Sequence, residues 1–254
     1  MGWFSAIPEE DIKRHVEAHP GLAWWSAATG NYILGDFWMK RRKIGHIVEY
    51  RREGEDLQAL WYALAESFRS MGTLVVLMLV EGILPQESMW LRLGFQEWER
   101  LIYYSYRIKG TEGNPSTQLS FRKAGPEDLD GILIIDHAAY PWLWWNERRA
   151  FQEYLAQAGI EVYLVGQGGT EIGYFSYATF GFWAHLDRIA LLPEFQGKRL
   201  APEMLKYLIQ LVRTKNIHEI NLSTQERNWV SRRLYEGFGF RRETGMQTLY
   251  ACWL

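Results

Sequence analysis

HLDRIALLPEFQGKRLAPEMLKYLI, residues 185–209, is the stretch whose reading decides the rest of the chain. Its apolar run Leu186 to Leu192 has the composition of a strand and stops at Pro193. A short loop, Gln196-Gly197-Lys198-Arg199, then leads to Leu200, Met204, Leu205, Leu208 and Leu211, which recur at helical spacing. The order is strand, cationic loop, helix start. A helix begins with about four backbone N–H groups that lack partners and with a partial positive charge. Gly, Lys and Arg at that point can hold a pyrophosphate. An ordinary strand-to-helix turn has the same local outline, so the meaning of this loop depends on the rest of the sequence.

The chain has 254 residues, 48% hydrophobic and 23% charged, which fits a globular protein of one or two domains. A net charge of −2, with no basic run longer than Lys40-Arg41-Arg42-Lys43, argues against a nucleic-acid partner. The one cysteine, Cys252, excludes an internal disulfide and a multi-cysteine metal site, and its apolar setting favours a packing role. No signal-peptide pattern opens the chain, and the longest apolar run, Leu74 to Val80, falls far short of the roughly 20 residues that span a bilayer. A cytoplasmic protein without a membrane partner is the expectation. The unusual total is aromatic: 13 Trp, 14 Tyr and 12 Phe exceed what a minimal core needs.

Lys109 to Gln118, KGTEGNPSTQ, has the Gly, Pro, Ser and Thr content of a linker and divides the chain into residues 1–108 and 119–254. At a constant offset of 145 (207 − 62) the halves pair Tyr32 with Tyr177, Phe37 with Phe182, Trp38 with Trp183 and Ile44 with Ile189. The same offset pairs Leu60 with Leu205, Tyr62 with Tyr207, Glu81 with Glu226, Gly94 with Gly239 and Phe95 with Phe240. Strand, loop and helix boundaries coincide along the way. This reads as a diverged duplication whose first copy lacks counterparts of the second copy's first strand and helix.

The second half continues from Gln196-Gly197-Lys198-Arg199-Leu200-Ala201 to Asn228-Trp-Val-Ser-Arg-Arg-Leu234-Tyr235-Glu-Gly-Phe-Gly239-Phe240. The two motifs in this order, after a strand opening at Leu119, resemble the GNAT (Gcn5-related N-acetyltransferase) superfamily over about residues 119–254. That resemblance implies an α+β fold: two tandem acyl-CoA N-acyltransferase-like domains, each a mixed, mostly antiparallel sheet flanked by helices. It implies acetyl-CoA as co-substrate and no metal. Backbone groups of Ile189, Ala190 and Leu191 would bond the pantetheine arm and polarise the thioester, as an oxyanion site does. Amides of Gln196, Gly197, Lys198, Arg199, Leu200 and Ala201 would cradle the pyrophosphate, Asn228 would contact the cofactor, and Tyr235 would protonate the leaving thiolate. Arg199 departs from the family pattern, which has Gly there; Gly permits unusual dihedrals that other residues resist.

The corresponding loop of the first half, Arg51-Arg52-Glu53-Gly54-Glu55-Asp56, carries carboxylates that suit capping of a helix start and would repel a pyrophosphate. At the common offset Asn228 faces Ile83 and Tyr235 faces Trp90. The first half is thus expected to be a degenerate, non-catalytic copy.

Acetyl transfer to an amine needs the amine neutral, hence a base nearby. Strand alternation places His185, Asp187, Ile189 and Leu191 on one face. Some members of the superfamily take their base from the positions that Asp187 and His185 occupy, whereas the following strand, a second source of a base in the family, has Ser223. At the offset of 145 their counterparts are Lys40 and Arg42. A surface histidine and a strand-end ion pair between Asp187 and Arg188 are the competing readings. Tyr140, Trp142 and Trp145 could box an apolar or cationic acceptor, with Asp136 or Glu147 for an ammonium, or could simply cover the sheet. The expected function is acetylation of a small-molecule amine in a direct ternary complex, by a monomer that is a pseudo-dimer of repeats or by a homodimer. Two other readings stand beside it: a non-catalytic acyl-CoA-binding or interaction module, and an aminoacyl-tRNA-dependent peptidyl transferase.

Overall fold

The computed structural model describes residues 9–51 and 56–254. In chain order its elements are α1 (Glu9–Ala18), β1 (Ala23–Trp25), β2 (Tyr32–Phe37), β3 (Ile44–Arg51), α2 (Leu57–Ser70), β4 (Val75–Glu81), α3 (Met89–Arg92) and β5 (Gln96–Arg107). There follow β6 (Ser120–Lys123), α4 (Leu129–Ala139), α5 (Arg148–Leu155), β7 (Ile160–Gln167), β8 (Thr170–Phe180) and β9 (Trp183–Leu191). The last four are α6 (Leu200–Arg213), β10 (Glu219–Gln225), α7 (Trp229–Phe238) and β11 (Arg241–Trp253). Among the described residues, no helix is long and apolar enough to cross a membrane.

Two compact units result, residues 1–100 with 245–254 and residues 101–244. The first unit's strands run β1-β2-β3-β4-β11, with β3 and β4 parallel and the rest antiparallel. The second unit's run β5-β10-β9-β8-β7-β6, with β9 and β10 its parallel pair. Each is a mixed, mostly antiparallel sheet with helices. The units differ from the division at residues 108 and 119. Leu101–Arg107, from the first repeat, pairs with β10, and Gln247–Trp253, from the second, pairs with β4. A linker's composition shows where the backbone is irregular, whereas the pairing of a final strand is decided by which edge it completes. Two similar edges make such an exchange inexpensive. Among the described residues the first unit has no counterpart of β6 and α4.

Aromatic residues fill both cores. Trp61, Trp90 and Phe95 pack within 6 Å of one another beneath Tyr50 in the first unit, where Cys252 is also buried. Truncating such a ring to alanine typically costs about 3–5 kcal/mol. In the second unit Phe121 stacks on Tyr207 of α6 at 4.0 Å, and Tyr163, Phe175 and Tyr177 stack in a row beside it. Phe175 and Tyr177 thereby mark the α6 side of the second sheet.

The parallel pairs share one geometry that the constant offset of 145 hides. Ile44–Ile47 pair with Val75–Met78, and Trp183–Leu186 pair with Glu219–Leu222. In both units the pairing then stops, and the next residue is a bulge: Val48 is skipped opposite β2 and Asp187 opposite β8. In this frame β3 and β9 are offset by 139 (183 − 44), which makes His46 the counterpart of His185 and Val48 that of Asp187. The pairing of His185 and Asp187 with Lys40 and Arg42 is thus corrected. Trp38–Lys40 form a 3-10 turn between β2 and β3, and that turn lengthens the hairpin. The shift is compensated later. Five residues separate Arg51 from Leu57 (57 − 51 − 1), whereas nine separate its counterpart Ala190 from Leu200 (200 − 190 − 1). The second unit's four extra residues fall in the Pro193–Arg199 loop.

Candidate active site

Beyond Leu186 and Leu222, β9 and β10 run on without pairing to each other, so the second sheet opens into a cleft between them. Leu192 N donates to Ile172 O at 2.9 Å. Antiparallel residues alternate between bonded and non-bonded pairs. On that alternation Ile189 and Leu191, opposite Phe175 and Gly173, turn their N–H and C=O groups toward the cleft, while those of Ala190 are turned to Tyr174 on β8. The expectation that all three contribute backbone groups therefore reduces to Ile189 and Leu191.

Both are engaged from within the chain. Leu191 O accepts from Gln196 Nε2 at 2.9 Å. Ile189 N donates to the Tyr140 hydroxyl at 3.2 Å, and that hydroxyl donates to Ile189 O at 3.0 Å. Tyr140 is the residue at which α4 ends, and it is firmly held. Its amide donates to Asp136 O, its carbonyl accepts from Trp145 Nε1 at 2.7 Å, and the Arg188 guanidinium lies 4.6 Å from its ring centre. Burial, opposed by Arg188, pushes the Tyr140 phenol up to about 12. Trp145 stacks on His137 at 4.6 Å, and Trp142 is 47% exposed. These three aromatics do not converge as one box: Tyr140 braces β9, Trp145 braces Tyr140, and Trp142 faces outward.

The bulge redirects the strand. A bulge places two neighbouring side chains on the same side, and here Asp187 reaches Tyr154 of α5 while Arg188 reaches Asp136 of α4. Ile189 lies opposite Phe175, on the α6 side. The expected single row of His185, Asp187, Ile189 and Leu191 is thus broken after Asp187. Tyr154 Oη donates to Asp187 Oδ2 at 2.5 Å, and His185 Nε2 is 3.9 Å from Asp187 Oδ1. The two side chains are 29% and 28% exposed, so both reach solvent from the edge of the cleft. Burial lowers the His185 pKa against the pull of Asp187, leaving the imidazole neutral at pH 7. Burial raises that of Asp187 against His185, Tyr154 and Arg188.

Asp136 cannot serve an incoming ammonium. It is fully buried and accepts from Arg188 Nη1 at 2.9 Å, Tyr174 Oη at 2.5 Å and Asn146 N at 2.9 Å. A buried ion pair with its other valences satisfied is a structural brace, costly to break from one side. It locks Arg188, and with it the bulge.

Past the cleft, Gly197 (φ 71) and Arg199 (φ 59, ψ 25) both adopt left-handed backbone at the entry to α6. Arg199 takes the conformation a glycine would adopt freely, at a cost of roughly 1–2 kcal/mol. No side chain caps α6, and Lys198 Nζ sits 5.1 Å from the Phe195 ring centre. The first amides of α6, Leu200 and Ala201 among them, are available to an anion. In the first unit the residue that precedes the corresponding helix is Asp56. Asp56 does not cap α2; its carboxylate accepts from Thr29 Oγ1 at 2.7 Å and from Asn31 Nδ2. Residues 52–55 of that loop lie outside the described residues.

Asn228 caps α7, its Oδ1 accepting from Ser231 N at 3.1 Å. Tyr235 is 5% exposed, and its hydroxyl has no hydrogen-bond partner among the described residues. Burial, with Tyr140 nearby, raises its pKa well above the ordinary value and keeps it protonated. Tyr154 is the residue that sequence reasoning missed. The available signal was a polar-tipped ring three places after Phe151, on the buried stripe of α5. Among the described residues no cluster of His, Cys, Asp and Glu could hold a metal ion.

Residues 129–240, which span this cleft from α4 to the end of α7, match the acetyltransferase (GNAT) family. The L-methionine sulfoximine/L-methionine sulfone acetyltransferase of Pseudomonas aeruginosa is 26% identical over 138 residues, covering 48% of this chain and 79% of that protein. Among solved structures, a GCN5-related N-acetyltransferase from Sphaerobacter thermophilus aligns with a TM-score of 0.66 at 14% identity, over 96% of this chain and 85% of that one. A tandem GNAT protein from the clavulanic acid biosynthesis pathway aligns with a TM-score of 0.63 at 14% identity, over 92% and 84%. At such identities the structures speak for the fold, and they share it over nearly the whole chain. Residues 129–240 thus resemble the GNAT acetyltransferases in sequence, and the chain as a whole shares the fold of these solved structures.

Proposed function

We propose that the second unit transfers acetyl from acetyl-CoA to the amine of a small molecule in a direct ternary complex, and that the first unit is a non-catalytic copy. The observation that carries this reading is the bulge at Asp187. It sets a carboxylate and a neutral imidazole beside a cleft whose wall offers the main-chain groups of Ile189 and Leu191, with the uncapped start of α6 at its far end.

Asp187 or His185 takes the proton from the acceptor's ammonium, directly or through water, and the freed nitrogen lone pair attacks the thioester carbonyl. Ile189 N–H, released from Tyr140, donates to the carbonyl oxygen as charge builds there. As the tetrahedral intermediate collapses and the C–S bond breaks, Tyr235 donates its proton to the departing thiolate, and the proton that the attacking nitrogen sheds on becoming an amide restores the phenol. Gly197 to Ala201 hold the pyrophosphate, helped by the charges of Lys198 and Arg199. Holding both reactants together supplies much of the rate. The relative's acceptors, L-methionine sulfoximine and L-methionine sulfone, make the α-amine of a small polar amino-acid derivative the first to try.

Thermal unfolding with and without acetyl-CoA tests the reading, using wild type and a Lys198→Glu/Arg199→Glu variant. Ligand at about 100 times its dissociation constant adds roughly 2.7 kcal/mol to the native state. A rise in Tm in wild type that the variant loses is expected, followed by thiol release with L-methionine sulfone or another member of an amine panel. No rise in wild type would sink the acetyl-CoA reading. Binding without turnover across the panel would favour an acyl-CoA-binding module instead.

A further inference from the structure

Asp187 has two carboxylate oxygens in different surroundings. Oδ2 receives the Tyr154 hydroxyl at 2.5 Å, while Oδ1 faces His185 Nε2 at 3.9 Å. Tyr154 is itself held: its hydroxyl lies 3.0 Å from Ser176 Oγ, and its ring packs against Phe151. A phenol has one proton. With that proton on Asp187, Ser176 must give its own to the phenol oxygen, so the chain runs Ser176 to Tyr154 to Asp187. Ser176 is fully buried and lies opposite Arg188, immediately beside the bulge. Asp187 therefore has one oxygen fixed by a donor and one directed at His185.

We propose that Tyr154 is a positioning residue for this centre: by occupying Oδ2 it fixes the Asp187 rotamer, leaves Oδ1 as the atom that accepts the proton, and keeps the carboxylate ionised. This rests on the reading of Asp187 as the base. The groups facing Asp187 are His185 and Arg188 on β9 and Tyr154 on α5; Arg188 is directed to Asp136 of α4 and reaches Asp187 only through space. Burial raises the Asp187 pKa, so the ionised carboxylate costs stability above its folded midpoint, and that cost vanishes as pH falls through it. A donor to the carboxylate opposes this. Tyr154 is suited to the task because burial and Asp187 raise its own pKa far above the ordinary value; it donates and does not ionise.

The test is a carbon-13 NMR titration of the side-chain carboxyls in the free, full-length protein, with Asp187 assigned by its loss in Asp187→Asn. Tyr154→Phe is expected to move the Asp187 midpoint up by about one pH unit, the order of one charge-assisted hydrogen bond. His185, with a less ionised neighbour, then titrates at lower pH. Should Tyr154→Phe fail to fold, Ser176→Ala withdraws the donor behind Tyr154 and should give a smaller shift of the same sign. An unmoved Asp187 midpoint overturns the proposal. The reading on which it rests fails separately, if Asp187→Asn acetylates at the wild-type rate.

Discussion

The two units build one backbone device and put different chemistry in it. In each, a parallel pair of four residues ends at a bulge, and a helix of 14 residues follows. The first unit places Val48 at the bulge, Asp56 bound by Thr29 and Asn31 at its helix start, and Trp90 where the second has Tyr235. His46, the counterpart of His185, packs edge-on to Trp38 at 5.1 Å, and burial lowers its pKa to about 4. The splayed strands and the bulge are therefore features of the scaffold. They persist where Val48 stands at the bulge in place of Asp187 and Trp90 in place of Tyr235, so the cleft's form does not by itself imply activity.

Making the second unit more like the first is the most severe way to break this comparison. Asp187→Val installs the first unit's bulge residue, and loss of a general base typically lowers rate 10²- to 10⁴-fold. Steady-state kinetics should show that loss in kcat with acetyl-CoA affinity retained by thermal shift; a rate within tenfold of wild type would return the role of base to His185 alone.

A smaller effect is expected at Tyr140, whose hydroxyl holds the Ile189 groups assigned here to the thioester. Tyr140→Phe frees them, and one net hydrogen bond is worth about 1 kcal/mol. Acetyl-CoA should then bind roughly fivefold more tightly by calorimetry. Weaker binding would mean that the hydroxyl moves with the ligand and bonds it directly.

The smallest effect belongs to Arg199. Arg199→Gly removes a left-handed penalty of roughly 1–2 kcal/mol and adds about 0.5–1 kcal/mol of unfolded-chain entropy. Differential scanning calorimetry should show Tm rising by no more than about 2–4 °C. A fall of several degrees would instead assign the guanidinium a packing role.

Much of this architecture is legible in the sequence. Helical spacing from Leu200 located α6, the apolar run Leu74 to Val80 is β4, and Gly94 and Gly239, paired in the sequence, follow α3 and α7 with φ 94 and 111. What escaped has physical causes. β1 is three residues long and has no periodicity to read, and the Gln96–Arg100 start of β5 is polar because it is largely exposed. The equivalence of β3 with β9 was masked by two length changes of nearly equal size, a longer hairpin in one repeat and a longer loop in the other. They nearly cancel, so α2 and α6 fall within two residues of the constant offset (200 − 57 = 143) while β3 and β9 miss it by six (145 − 139).

The sequence by itself determined the resemblance of residues 129–240 to the GNAT acetyltransferases and the order of strand, cationic loop and helix at residues 185–209, because strand, helix and loop chemistry are written in residues close together along the chain. Only the tertiary structure decided which strands complete which unit, since two similar edges cannot be told apart by composition. It also decided that Asp187 turns to Tyr154 while Arg188 turns to Asp136, because a bulge shifts alternation by one residue and leaves no mark in the sequence. Asp136, Tyr154 and Ser176 enter the site from α4, α5 and β8, and their roles come into being only where those elements meet β9.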